Sequence, residues 1–255
     1  MQRLFLWLSL AAIHGVLLYN ALFHDMRTGY DVHHHLKNVE IYAELRIPTA
    51  EESAQFFSAP LPYLLPAMLH RAGLPFATAK RIALLGQVLM SGLLFYYLLK
   101  LCEILSPKNN YLKLSVVLLL GMLPVYYKSF AFLRGEPYVA FFSVYCVYQL
   151  VTLFSAKTRL SPVHLGVALA LLILSRQWGV FAGVGIALAG LIAAFVSAQP
   201  ALQLRRLIAA GTIAGLGGGW FYLSQTLRHD TVRAFNRPAE HHFSLSNQPQ
   251  SFFLV

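Results

Sequence analysis

An all-α, polytopic transmembrane helical bundle of about seven spans is the fold class that this sequence predicts. Three observations predict it. The chain is 57% hydrophobic and only 12% charged, where a soluble domain carries about 25% charged residues. Its mean hydropathy is +0.58. Its apolar runs are long and continuous, as in "LFLWLSLAAIHGVLLYNALF" and "VFAGVGIALAGLIAAFV". Backbone in lipid must satisfy its own hydrogen bonds, which leaves helices or closed barrels. A barrel needs short segments of alternating polarity, so continuous runs select helices.

The first span covers about 4–23. Arg3 precedes it, but the run is longer than a signal-peptide core and no small-residue cleavage pattern follows, so it reads as a retained helix. Residues 24–80 form a long first outer loop. It contains two short amphipathic helices, "HHHLKNVEIYAEL" and "LPYLLPAMLHRAG", punctuated by Pro48, Pro60, Pro62 and Pro66. Six more spans follow at about 81–101, 113–130, 137–154, 162–175, 178–197 and 206–226. The fifth span is short, and is either less tilted than the others or partly buried in protein. Residues 227–255 begin a second outer loop. The whole of 1–255 reads as one transmembrane domain with no soluble domain and no internal repeat. Cys102 and Cys146 read as small buried hydrophobes rather than a disulfide.

The formal net charge is +10. The basic residues are scattered between apolar spans and not gathered on one soluble face, which argues against nucleic acid as a partner. The lipid bilayer, with its anionic headgroups, or an anionic lipid-linked substrate fits better. With the N-terminus inside, the inner loops 101–112, 155–161 and 198–205 carry Lys108, Lys157, Arg159 and Arg205, with Glu103 as their one acid. The other nine of the ten acids fall on the outer face, as do eight of the ten histidines, all but His14 and His164. Material for proton chemistry is therefore concentrated on one side. The predicted location is a multi-pass integral membrane protein (plasma or inner membrane if bacterial) with its active face outward.

Four stretches converge on that face: "YDVHHHL", "FFSAPLPYLL", "FLRGEPYVAFF" and "LSRQWGVF". In "RGEP", Glu136 sits where a helix start favours an acid and Pro137 suits the first turn. Arg134 makes either a local ion pair with Glu136 or a contact to an anion. In "SRQWG", Ser175, Arg176 and Gln177 interrupt an otherwise continuous apolar run. Arg176 either snorkels to headgroups or, with Arg134, clamps a phosphate in the bidentate manner of arginine. His33, His34 and His35 point about 100° apart on a helix and do not make a metal site there. A strand or loop could present two of them, so a divalent metal stays open and no cofactor is assigned. Asp31 stands at a helix N-cap, with His35 four residues on and able to pair with it.

On these residues the chain resembles the GT-C superfamily of membrane glycosyltransferases, in particular the dolichyl-phosphate-mannose-protein mannosyltransferase-like group. The resemblance lies in the order and sidedness of the stretches: an acid and histidine after the first span, then "PLPY", "RGEP" and "RQ". It implies an enzyme that moves a hexosyl or pentosyl unit from a polyprenyl-phosphate carrier to a hydroxyl on an acceptor lipid, glycan or protein, at the non-cytoplasmic face, with inversion. By the same resemblance Asp31 is the catalytic base and His35 its partner. Glu136 is a second acid or sugar-orienting group, and Arg134, Arg176 and Gln177 bind the substrate phosphate. That group carries eleven or more spans, so this chain, which stops at "NQPQSFFLV", reads as the N-terminal fragment of a longer enzyme, with acceptor contacts expected in the other half. The rival readings are a transporter or other non-enzymatic polytopic protein, and a metal-binding membrane protein using the histidines.

Overall fold

The computed structural model describes residues 1–23, 32–49, 51–53, 55–154 and 161–229. Among the described residues the regular structure is entirely helical. Helix α1 spans Gln2–Phe23, and α2 (Val32–Ala43) and α3 (Leu61–Arg71) follow it. Pro60 and Pro62 open α3, where their missing N–H groups would be unbonded anyway. The helix ends at Gly73, whose φ of 96° suits a residue without Cβ, and the Leu74 amide reaches back to the Leu69 carbonyl at 3.1 Å. Helix α4 (Phe76–Leu105) is 30 residues long. Then come α5 (Asn110–Gly121), α6 (Pro124–Ala131), α7 (Glu136–Phe154), α8 (Pro162–Ile173), α9 (Gln177–Phe195) and α10 (Pro200–His229).

Helices α1, α4, α7, α9 and α10 are each long and apolar enough to cross a membrane. Two predicted spans take other forms. The segment 113–130 is not one helix: α5 and α6 meet at an angle of 64°. Pro124 is the cause. It has no N–H to give the Leu120 carbonyl, and it pushes Leu123 into extended backbone. The segment 162–175 is the 12-residue α8, about 18 Å long against a hydrocarbon core of about 30 Å.

Contacts at one end of the bundle decide the course of the chain. Leu133, just after α6, packs with Leu84 and Ala83 of α4 and Tyr63 of α3. The first residues of α7 touch the turn before α9. The pair α5–α6 therefore carries the chain back from the far end of α4, and α8 carries it back from the far end of α7. Helix α8 can be short because its surroundings are protein: Leu165, Ala168, Leu169 and Leu172 are buried among α7, α9 and α10.

Small residues make that close packing. A Cβ on Gly166 would lie 2.9 Å from the Ala210 carbonyl oxygen, and one on Gly218 would lie 2.9 Å from that of Ala170. Gly166 and Ala170 on α8 face Ala210, Ala214 and Gly218 on α10, a small-residue seam of the kind that brings membrane helices together. Helix α9 follows the same logic. It turns Gly179, Gly183, Gly190 and Ala194 inward and exposes Phe181, Val184, Leu188, Ile192 and Phe195.

Candidate functional site

The three consecutive histidines lie on the first turn of α2 and point three ways, as the 100° step demands: His33 is exposed, His34 half-buried and His35 buried. His35 Nδ1 is 2.5 Å from the Tyr63 hydroxyl, and the two rings stack at 5.7 Å between centroids. Tyr42, two turns along α2, stacks on Tyr63 at 5.9 Å. Its hydroxyl has no hydrogen-bond partner among the described residues. Burial, with Tyr63 and Tyr222 beside it, pushes the Tyr42 phenol far above its ordinary pKa. Asn38 donates to the Gln55 carbonyl at 2.9 Å and so ties the turn that begins at Gln55 to α2. Asp31 and its expected pairing with His35 lie outside the described residues.

The "PLPY" segment links this aromatic group to the α8–α9 turn, since the Leu61 amide donates to the Leu174 carbonyl at 3.1 Å. The "RGEP" and "SRQ" stretches meet at the same place. A Cβ on Gly135 would lie 2.4 Å from the Ser175 carbonyl oxygen and 3.0 Å from Arg176 Cβ. Only a glycine lets the two backbones approach so closely. The approach delivers Glu136, the first residue of α7, to Arg176, and the two form an ion pair. The Arg176 side chain is 14% exposed and that of Glu136 35%. Tyr222, on α10, lies within the field of Arg176 and donates to the Ile173 carbonyl at 3.2 Å.

The remaining expected residues take separate positions. The Arg134 guanidinium lies 5.2 Å from the centre of the Phe132 ring. Gln177 opens α9, and its amide oxygen is buried without a partner among the described residues. Gln87 of α4 is fully buried, and with its amide turned to donate, its nitrogen reaches the Phe132 and Phe130 carbonyls at 3.0 and 3.3 Å, beside the segment leading to Arg134.

Glu136 and Arg176 are the charged residues lining a cavity of about 340 Å³. Its other walls come from the bent α5–α6 pair, from Val139 and Ala140 of α7, and from Trp178 of α9. The residues on either side of the bend at Pro124, from Leu120 to Phe130, form one side of this space. Arg134 does not line it. Tyr126, on the cavity wall, belongs to a polar chain inside the bundle. Its hydroxyl is 2.5 Å from Ser91 Oγ, which is 3.2 Å from His14 Nε2, while His14 Nδ1 lies 2.8 Å from the Leu10 carbonyl. Nδ1 therefore donates to that carbonyl and Nε2 accepts from Ser91.

Sequence reasoning singled out five described residues: His35, Arg134, Glu136, Arg176 and Gln177. It missed Tyr63, Tyr42, Tyr222 and Gln87, which hold the stretches together. "PLPY" stood out through its prolines rather than its tyrosine, and Gln87 and Tyr222 lie inside long spans without a local motif. Among the described residues no group of three or more His, Cys, Asp or Glu is placed to hold a metal ion. No known protein family, characterised protein or solved structure matches the chain, and the chemistry of the site rests on its own residues.

Proposed function

We propose that this chain forms the membrane core of a glycosyltransferase that takes a sugar from a polyprenyl-phosphate carrier. The observation that carries the reading is the apolar cavity lined by a single ion pair, Glu136 with Arg176. Apolar walls suit an isoprenoid chain, and an arginine suits the phosphate that ends it. Arg176 brings one guanidinium edge to Glu136 and keeps further N–H donors for a phosphate oxygen. Glu136 offsets the cost of holding that cation in an apolar setting before the substrate arrives.

The reaction follows from these parts. The acceptor oxygen bonds to the anomeric carbon as its proton passes to a carboxylate, in the role the resemblance gives to Asp31. The bond from the anomeric carbon to the phosphate oxygen breaks, and polyprenyl phosphate leaves with the electron pair. That anion is stable, so the protein need only hold its charge, the role assigned to Arg176, with Arg134 and Gln177 as further phosphate-binding candidates by the resemblance. His35 and Tyr63 position the start of α2. The reading includes seven crossings, with α5–α6 and α8 among them, and the cavity's polar end facing outward.

The test is release of label from a radiolabelled polyprenyl-phosphate hexose by membranes containing the protein. Arg176→Ala and Asp31→Asn should each reduce release to the level of empty membranes. Release at the wild-type rate in both variants would remove the site from the chemistry. A transporter reading needs ionisable groups deep within the spans and facing a pathway; Glu136 and Arg176 stand at helix starts, and His14, deep in α1, is bonded to Ser91 and the Leu10 carbonyl and does not line the cavity.

A further inference from the structure

The Glu136 carboxylate has acceptor capacity that the protein leaves unused. One oxygen takes the bond from Arg176. The other, Oε2, is buried and has no hydrogen-bond partner among the described residues. A carboxylate offers about four acceptor sites on its two oxygens, and a buried oxygen without a donor is costly. The side chain as a whole is nonetheless 35% exposed and stands on the wall of the cavity of about 340 Å³. A molecule in that cavity is therefore the available donor.

Geometry limits what that donor is. Arg176 lines the same cavity and takes the carrier phosphate in the glycosyltransferase reading. Carboxylate and phosphate then share one planar guanidinium, whose short hydrogen bonds keep its acceptors a few ångströms apart. The phosphate is joined to C1 of the sugar. Counted by bonds, the hydroxyl nearest to it is the one on C2; the ring oxygen is equally near but has no proton to give. A C2 hydroxyl thus reaches a carboxylate that shares the arginine of the phosphate. Its proton also stands between two anions and lessens their repulsion.

We propose that Glu136 selects the sugar by accepting a hydrogen bond from a free C2 hydroxyl. This role rests on the glycosyltransferase reading and adds the sugar to the carrier. The donor class is a hexose or pentose with an unsubstituted hydroxyl at C2. A 2-deoxy sugar leaves the carboxylate without its donor. A site built to bond a hydroxyl rejects the analogue that lacks it far more strongly than an apolar pocket rejects a missing methylene. Glu136 is a specificity residue in this scheme and takes no proton from the acceptor.

The full chain, purified in non-ionic detergent, would be titrated with farnesyl phosphate and with the farnesyl-phosphate esters of glucose, mannose and 2-deoxyglucose. Retained ligand is counted by native mass spectrometry. Glucose and mannose differ only at C2, so the one 2-deoxy compound is the control for both. The epimer whose hydroxyl meets Glu136 should be held at least about tenfold more tightly than that control. Glu136→Ala should bring the ratio to one, and Glu136→Gln, which keeps a neutral acceptor, to a value between. Arg176→Ala should weaken farnesyl phosphate itself. Farnesyl phosphate held through Arg176, with neither epimer preferred to the 2-deoxy compound, would overturn the role of Glu136 and leave the carrier reading standing. So would a preference that is unchanged in Glu136→Ala. Failure of the wild type to hold farnesyl phosphate would overturn both. The wild-type comparison uses no variant and decides even where a substitution at Glu136 unfolds the chain.

Discussion

Glu136 and Arg176 are 40 residues apart in the chain, and each makes the other tolerable. Removing one partner strands a partly buried charge, whereas removing both leaves two neutral groups. Arg176→Gln or Glu136→Gln alone should therefore cost roughly 1–3 kcal/mol, and the double variant less than the sum of the two. Thermal unfolding in detergent across the four proteins measures the coupling. Additive losses would mean that the pair contributes nothing as a pair. Further out, Arg46 bonds Glu44 at 2.6 Å and also Glu52, while Glu52 accepts from the Thr49 amide at 3.1 Å. These bonds, that from Arg46 foremost, hold the Glu52 carboxyl below its ordinary pKa. A depressed carboxyl contributes order that is present above the unfolded value, about 4.3, and is lost as pH falls through the lower folded value. Hydrogen exchange at the Thr49 amide, corrected for the intrinsic rate, should stay constant from neutral pH to about 5 and quicken below about 4. Flat exchange throughout that range would show that Glu52 does not hold the turn.

At the scale of elements, a proline and a seam of small residues shape the bundle. Pro124→Ala restores the donor that α5–α6 lacks and removes the clash with the Leu120 carbonyl. The bend of 64° should then open. The distance between spin labels at the exposed positions Leu119 and Lys128 should lengthen, and the cavity beside Glu136 should narrow. An unchanged distance would assign the bend to packing against α7 instead. The α8–α10 seam is the opposite case, where added volume is harmful. Gly218→Val would push the Ala170 carbonyl and Ile173 away and should cost about 1–3 kcal/mol in thermal unfolding. Gly219→Val, next to it but with nothing within 4 Å of its Cβ, should cost well under half as much.

At the scale of the whole molecule, the contact of Gly135 with Ser175 and Arg176 puts the starts of α7 and α9 at one end. Since α7 runs away from that end, α8 must return to it, despite having only 12 residues. This makes the sidedness testable. Cysteines replacing the exposed Glu40 and Lys128 should react with a membrane-impermeant maleimide from outside intact cells. One replacing the exposed Val163 should react only after permeabilisation. The native Cys102 and Cys146 are buried and give little background. Outside labelling at Val163, with Lys128 labelled only from inside, would leave α5–α6 and α8 as segments that do not cross.

The sequence by itself determined the helical class, the five long apolar helices and the gathering of polar stretches between spans. Hydropathy and length act locally, and a span needs no distant partner to satisfy its backbone. It also marked the residues that meet: "RGEP" and "SRQ" stand out because charge is rare in this chain. What it left open was who meets whom. Arg134 is the near neighbour of Glu136 in sequence, yet Arg176 forms the described ion pair, because the glycine between them admits the α8–α9 turn. His35 engages Tyr63 across 28 residues, a bond that exists only because α3 folds back on α2. The brevity of α8 was legible in the residues, whereas the bend at Pro124 was not read, because 113–130 is a continuous apolar run. That an apolar cavity of about 340 Å³ lies beside the Glu136–Arg176 pair was decided by packing, since a gap between helices belongs to no single helix.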